Sequence, residues 1–104
     1  MIWIDGGAAD MAPETARRVD HAGTTYALLR GLAEGYSAVE GLCPHEEAHL
    51  VRGRVEGRVV ECPRHGARFD IATGAARGRR MCRDLRVFAT RIRKGRVEIH
   101  VPQD

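Results

Sequence analysis

Two short segments hold most of the chemistry in this chain, and they are built alike: Cys43-Pro44-His45 and Cys62-Pro63-Arg64-His65-Gly66. Each places one thiol and one imidazole in a proline-containing turn. Sixteen residues, Glu46 to Glu61, separate His45 from Cys62. Within them, Val55–Glu61 reads as a tight hairpin centred on Gly57. A hairpin there carries both turns to one end of a sheet, so that Cys43, His45, Cys62 and His65 form a four-ligand Cys2His2 set. Any fold for this chain has to present these two turns side by side.

The rest of the sequence supplies short strands and turn signals. Ala16–Asp20 and Thr24–Leu29 flank His21-Ala22-Gly23 as a hairpin, and Tyr36–Val39 follows the Gly31–Gly35 turn. Near the end, Val87–Arg93 and Arg96–Val101 flank Lys94-Gly95. Val97, Ile99 and Val101 alternate with Glu98 and His100, as in a half-buried antiparallel strand. Asp10–Arg18 offers at most a turn or two of helix, because Pro13 interrupts it and no 3.6-residue period is sustained. The expected class is all-β, an antiparallel sandwich or small barrel. With 104 residues and 12 glycines the chain suits one domain. It is too short for a dinucleotide-binding domain joined to a substrate domain.

No apolar run approaches the ~20 residues of a membrane span, and no signal peptide is visible, so a cytoplasmic protein with no membrane partner is expected. In a reducing compartment the three cysteines, Cys43, Cys62 and Cys82, read as ligands or core residues rather than a disulfide framework. Charge is unevenly spread. Residues 1–49 carry three Arg against eight Asp and Glu, a net of −5, and residues 50–104 carry fourteen Arg and Lys against six acids, a net of +8. A basic half invites a nucleic-acid reading, but five aromatic residues (Trp3, Tyr26, Tyr36, Phe69 and Phe88) are too few to interleave with it. No nucleic-acid partner is expected.

Two metals suit the ligand set. Zinc would take all four groups tetrahedrally, whereas a [2Fe–2S] cluster would take two thiolates on one iron and two imidazoles on the other. Zinc fingers usually pair Cys with Cys and His with His. Here each turn supplies one of each, which favours the cluster.

Cys-x-His, sixteen residues, then Cys-x-x-His-Gly resembles the Rieske iron–sulfur motif. Glu61–Asp70 followed by Thr73-Gly74 is similar to the second cluster loop of bacterial Rieske-type ferredoxins. The likeness extends back through Trp3, Thr25–Arg30 and Tyr36–Glu40 and forward to Lys94–Val97. It implies a three-layer antiparallel β fold, an antiparallel β-sandwich base with a small inserted cluster-binding subdomain, over one domain spanning 1–104 with the subdomain at about 41–74. It implies one [2Fe–2S] cluster per chain, held by Cys43 and Cys62 on the buried iron and His45 and His65 on the outer one.

The quinol-oxidising members of the family brace their loops with a disulfide, whose positions fall here on Ala48 and Arg64. They place Ser and Tyr hydroxyls near the sulfurs at positions matching Ala67 and Phe69. Without those donors the reduced cluster is less stabilised, so the potential is expected in the negative part of a range of about −150 to +300 mV. Reduction favours protonation of the imidazoles, so the potential should fall as pH rises through their pKa values. Only His21, His49 and His100 remain for a second iron site, and no residues remain for an oxygenase domain. The resemblance therefore implies a non-catalytic one-electron carrier. It would pass electrons from an NAD(P)H-dependent ferredoxin reductase to a terminal aromatic-ring-hydroxylating oxygenase, both docking near His45 and His65. The alternatives are an electron-transfer subunit of another oxidoreductase, such as a nitrite-reductase-like complex, and a zinc-binding interaction module.

The loop after Gly74 lacks the covering prolines of the family, and Arg64, Arg68, Arg79 and Arg80 are candidates to ring the site with positive charge. Cys82 reads as a small core or loop residue, His49 as a solvated loop histidine and His21 as a turn residue. His100 reads as part of an exposed strand face and Trp3 as core. Glu46 and Glu47 read as exposed loop charges.

Overall fold

Thr25-Tyr26-Ala27-Leu28-Leu29 runs apolar without alternation because both of its faces are covered. The computed structural model describes residues 1–33, 35–44, 47–64, 66–78 and 82–103. In chain order the strands are β1 (Ile2–Ala8), β2 (Thr15–His21), β3 (Thr24–Arg30), β4 (Tyr36–Glu40), β5 (Arg54–Glu56) and β6 (Val59–Glu61). They continue as β7 (Arg68–Asp70), β8 (Ala76–Arg77), β9 (Val87–Phe88), β10 (Thr90–Arg93) and β11 (Arg96–Val101). They form three antiparallel sheets, ordered β1-β11-β10, β2-β3-β4-β9 and β5-β6-β7-β8. The second is the middle layer. From β3, Tyr26 and Leu28 join Val97, Ile99 and Val101 of the first sheet in one core, while Ala27 and Leu29 join Val55, Val60 and Phe69 of the third sheet in another. A strand covered on both faces has no solvent side to keep polar, which accounts for the sequence.

The hairpins at Ala22-Gly23 and Lys94-Gly95 hold positive φ at both central residues, the twist-matched turn of two-residue connections. Expectation and structure part at four places. Val87–Arg93 is not one strand. β9 pairs with β4 and β10 with β11, and the chain changes sheets at Ala89, whose carbonyl accepts the His100 N–H at 2.9 Å. Asp10–Arg18 contains no helix, and the only helical turn among the described residues is the 3-10 turn Leu50–Arg52. Trp3 is not core. It pairs with His100 on the outward face of the first sheet, stacks on that imidazole at 4.5 Å and lies beneath the Arg91 guanidinium at 4.0 Å. Strands β1, β7 and β8, which no alternating run announces, complete the sheets. No described helix is long and apolar enough to cross a membrane.

Because β4 pairs with β9, residues 41–86 form an excursion from the middle sheet, and Glu40 clamps its neck. Its carboxylate accepts two hydrogen bonds from Arg83, at 2.6 and 2.8 Å, and one from the Arg86 N–H at 2.8 Å. Burial pushes the Glu40 carboxyl up, but these donors outweigh it and hold the group below its ordinary value. The far end of the excursion is fastened at Gly57. Its carbonyl accepts the Leu32 N–H at 3.0 Å, and its N–H donates to Glu14 Oε2 at 2.9 Å.

Candidate metal centre

Both cysteines open hairpin tips of one design. In the first, Leu42 faces His49 and the Cys43 N–H donates to the Ala48 carbonyl at 2.8 Å. In the second, Glu61 faces Arg68 and the Cys62 N–H donates to the Ala67 carbonyl at 2.7 Å. Each tip thus runs Cys-Pro to Ala over six residues. Its fifth residue, Glu47 or Gly66, turns the chain back through a left-handed conformation, with φ of 53° and 68°. Gly66 does so without steric cost, whereas Glu47 stores of order 1 kcal/mol of strain. Two equivalent loops presenting equivalent cysteines are what a shared ligand site requires.

The two loops come together because glycine stands at position 53. The Leu50–Arg52 turn leaves the first loop, and the next residue passes directly against the carbonyl oxygen of Glu61, which precedes Cys62. A side chain at 53 would occupy the place of that oxygen.

The two cysteines are 0% and 2% exposed and share one core with Leu50, Val60, Ala67, Phe69 and Leu85. Two thiols sequestered in one apolar core, on matching hairpin tips, fit the half of a cluster site that takes thiolate ligands. A dry surround of this kind would keep water from a metal held there and lower the local dielectric. His45 and His65 lie outside the described residues, as do Arg79, Arg80 and Glu46. Ala67 and Phe69 are buried beside the cysteines and bring no hydroxyl.

The sheet behind the second loop ends in a turn organised by Asp70, which is 3% exposed. Its Oδ1 accepts the N–H groups of Ala72 and Thr73 at 2.9 and 3.0 Å, and its Oδ2 meets Arg77 at 3.0 Å and Arg58 at 3.2 Å. Burial pushes this carboxyl up, and the two backbone donors and two guanidiniums more than reverse it, leaving the group below its ordinary value. The Asp-x-x-Thr-Gly pattern, part of the family likeness in the sequence, carries the signal for such a turn, whereas nothing in the spacing of Gly53 or Glu40 announces the roles they have.

Other singled-out residues fall as follows. Cys82 is half-buried against the core that contains Cys43 and Cys62, and Glu47 is exposed. His21 ends β2 beside its turn. His49 is not a solvated loop residue. It is half-buried, and its Nδ1 has no hydrogen-bond partner among the described residues.

Residues 3–89 match the model of the Rieske [2Fe-2S] domain. The chain is 34% identical over 99 residues to ferredoxin CarAc of Metapseudomonas resinovorans, covering 94% of this chain and 92% of that one. It is 36% identical over 96 residues to the ferredoxin component of the naphthalene 1,2-dioxygenase/salicylate 5-hydroxylase systems of a Ralstonia species, covering 91% of each. Among solved structures, it superposes with a TM-score of 0.89 on a chain from the complex of reduced oxygenase and oxidized ferredoxin in carbazole 1,9a-dioxygenase. That match is 36% identical and covers 95% of this chain and 93% of the other.

Proposed function

The chain belongs to the Rieske [2Fe-2S] family, and from that premise we propose that it is the ferredoxin component of an aromatic-ring dioxygenase system, a carrier and not a catalyst. The observation that carries the reading is the pair of buried cysteines on matching hairpin tips. The full-length likeness to ferredoxin components supports it. The cluster-binding subdomain is the 41–86 excursion, which contains the expected stretch of about 41–74 and runs past it through β8, and Cys43, His45, Cys62 and His65 would hold one [2Fe–2S] cluster per chain. When bound, the cluster supplies reversible one-electron chemistry at a potential set by its ligands and surroundings.

The protein's own residues do the rest. Leu50, Val60, Phe69 and Leu85 exclude water from the thiolate side. Ala67 and Phe69 withhold hydrogen bonds that would raise the potential. Gly53 lets the two loops meet, and the Glu40 and Gly57 attachments hold the excursion against the middle sheet. In the cytoplasm the donor would be an NAD(P)H-dependent ferredoxin reductase and the acceptor a terminal oxygenase, both docking at the loop tips near His45 and His65.

The test is anaerobic purification, iron and sulfide analysis, and a redox titration followed by visible absorption. About two irons and two sulfides per chain, with bleaching below about +100 mV, are expected. A colourless protein with stoichiometric zinc and no redox response would remove the reading.

A further inference from the structure

Arginine is abundant throughout this chain, but its pairing is not uniform. On the first two sheets and the neck most guanidiniums have partners: Arg17 meets Asp10, Arg18 Asp20, Arg83 Glu40, Arg91 Glu98 and Arg96 Asp5. Arg30 donates to the Met11 carbonyl and lies over Tyr36, while Arg86 and Arg93 are exposed with no ion pair to a described residue. At the loop end the pattern changes. Arg52, Arg64 and Arg68 are exposed and make no ion pair with any described residue. Arg52 and Arg64 line one cleft between the two Cys-Pro tips, with Glu47, His49 and Pro63. Arg68 lies in a row that runs across the third sheet at its loop-proximal edge, Arg54, Glu61, Arg68, Arg77.

The acids at this end do not balance them. Arg54 is matched by Glu56, and Asp70 is shared by Arg58 and Arg77, which leaves a surplus cation. Glu47, Glu61 and Asp84, the last accepting the Ala76 N–H, are the remaining described carboxylates, against that surplus cation and three guanidiniums that pair with no described residue. Exposed arginines with no described carboxylate partner cost little in water, yet their field extends roughly 10 Å at 0.1 M salt, far enough to orient an approaching surface.

We propose that the loop end of this protein, through Arg52, Arg64 and Arg68, docks on an acidic patch of its protein redox partners. The inference rests on the carrier role and specifies the chemistry of the surface that role requires. One electron leaves the reduced cluster and reduces one acceptor centre, with no bond made or broken. The salt-sensitive part is therefore encounter, set by charge. Aromatic residues are absent from the described part of this face, which separates it from a single-strand nucleic-acid platform.

The test uses the reduced holoprotein and two forms of one acceptor: native ferricytochrome c, which is basic, and the same protein with its lysines succinylated, which is acidic. Reduction of the haem is followed by stopped flow after dithionite is removed. At about 10 mM salt, where the Debye length is about 30 Å, the acidic form should react at least ~10-fold faster, and near 1 M salt the two rates should converge. The variant R52E/R64E/R68E should reverse the preference with its visible spectrum unchanged. If that variant does not fold, the salt dependence of the native protein decides alone. Equal rates, faster reaction with native cytochrome c, or a variant that keeps the preference for the acidic form would overturn the inference. Submicromolar binding of duplex DNA at about 0.15 M salt without a preference for the acidic acceptor would overturn it in favour of nucleic acid. Failure of the carrier role looks different: no acceptor is reduced at any salt concentration.

Discussion

Replacing Asp70 by Asn keeps the shape of the turn behind the second loop and removes its charge. Oδ1 still accepts from Ala72 and Thr73, but as a neutral acceptor, which forfeits about 1 kcal/mol across the two bonds. The new amide N–H2 points at two guanidiniums that also only donate, and an unsatisfied buried donor costs about 1–3 kcal/mol. The lost ion pairs add little, because the Arg58 and Arg77 side chains are 67% and 55% exposed. The total is about 2–4 kcal/mol. For a chain of this length the unfolding entropy of about 0.2 kcal/mol/K converts that to a fall in Tm of about 9–18 °C. The assay is thermal unfolding of the holoprotein by far-UV circular dichroism, with D70N beside the native protein. The folded carboxyl titrates below its ordinary value of 3.8. Its stabilisation is therefore complete above that value and is lost as pH falls through the folded pKa. The gap between native and D70N should stay constant from about pH 8 to 5 and narrow below about pH 4. A fall in Tm under about 4 °C, or a gap that widens in acid, would refute the argument.

Three further outcomes follow from the loops. Gly53→Ala puts a Cβ where the Glu61 carbonyl oxygen stands, and forcing backbone apart at that point should cost about 1–3 kcal/mol and lower the iron bound per chain. Full iron content with an unchanged Tm would show that the loops tolerate separation. Phe69→Tyr and Ala67→Ser each restore a hydroxyl beside the buried cysteines, and a new bond of about 1 kcal/mol to a cluster sulfur should raise the potential by roughly 40 mV in a redox titration. No rise in either variant would mean that neither hydroxyl reaches a sulfur. Between neutral and strongly alkaline pH the potential should decline. A flat profile would argue against imidazole ligands.

How much of this molecule is legible in the sequence depends on whether a residue's task is local. The hairpins at Gly23, Gly57 and Gly95 are local, since two turn residues between β-forming runs suffice, and the structure has all three. The paired turns are local too: each Cys-Pro segment announces its own tip, and the structure has Cys43 and Cys62 at matching places on two of them. For Trp3, residue type alone points to burial, and the sequence does not show which strands are outer ones. Its strand is an outer one, and the indole is satisfied by Arg91 and His100 on the solvent side instead. β7 and β8 escaped because strands of three and two residues cannot display a period. The break at Ala89 escaped because pattern gives strands but not their sheet, and Val87–Arg93 serves two sheets in turn. Gly53 and Glu40 act across long sequence separations, where spacing carries no signal.

The division of apolar residues between two cores has a consequence for cluster removal. One core joins the middle sheet to the first and holds neither cysteine. The other joins the middle sheet to the third and holds both. Each strand of the third sheet is two or three residues long, too short to hold by pairing alone, so its order depends on the packed thiol loops and on the attachments at Glu40 and Gly57. On the proposed ligation, taking the cluster away removes the link it would make between Cys43 and Cys62 and leaves the first core untouched. Opening should therefore be local rather than global. In hydrogen exchange of the cluster-free protein, amides of β5 to β7 and of both tips should lose protection, while those of β3, β10 and β11 keep most of theirs. Uniform loss across all three sheets would mean that the two cores melt as one unit. The middle sheet would then transmit the loss of the cluster instead of insulating the base from it.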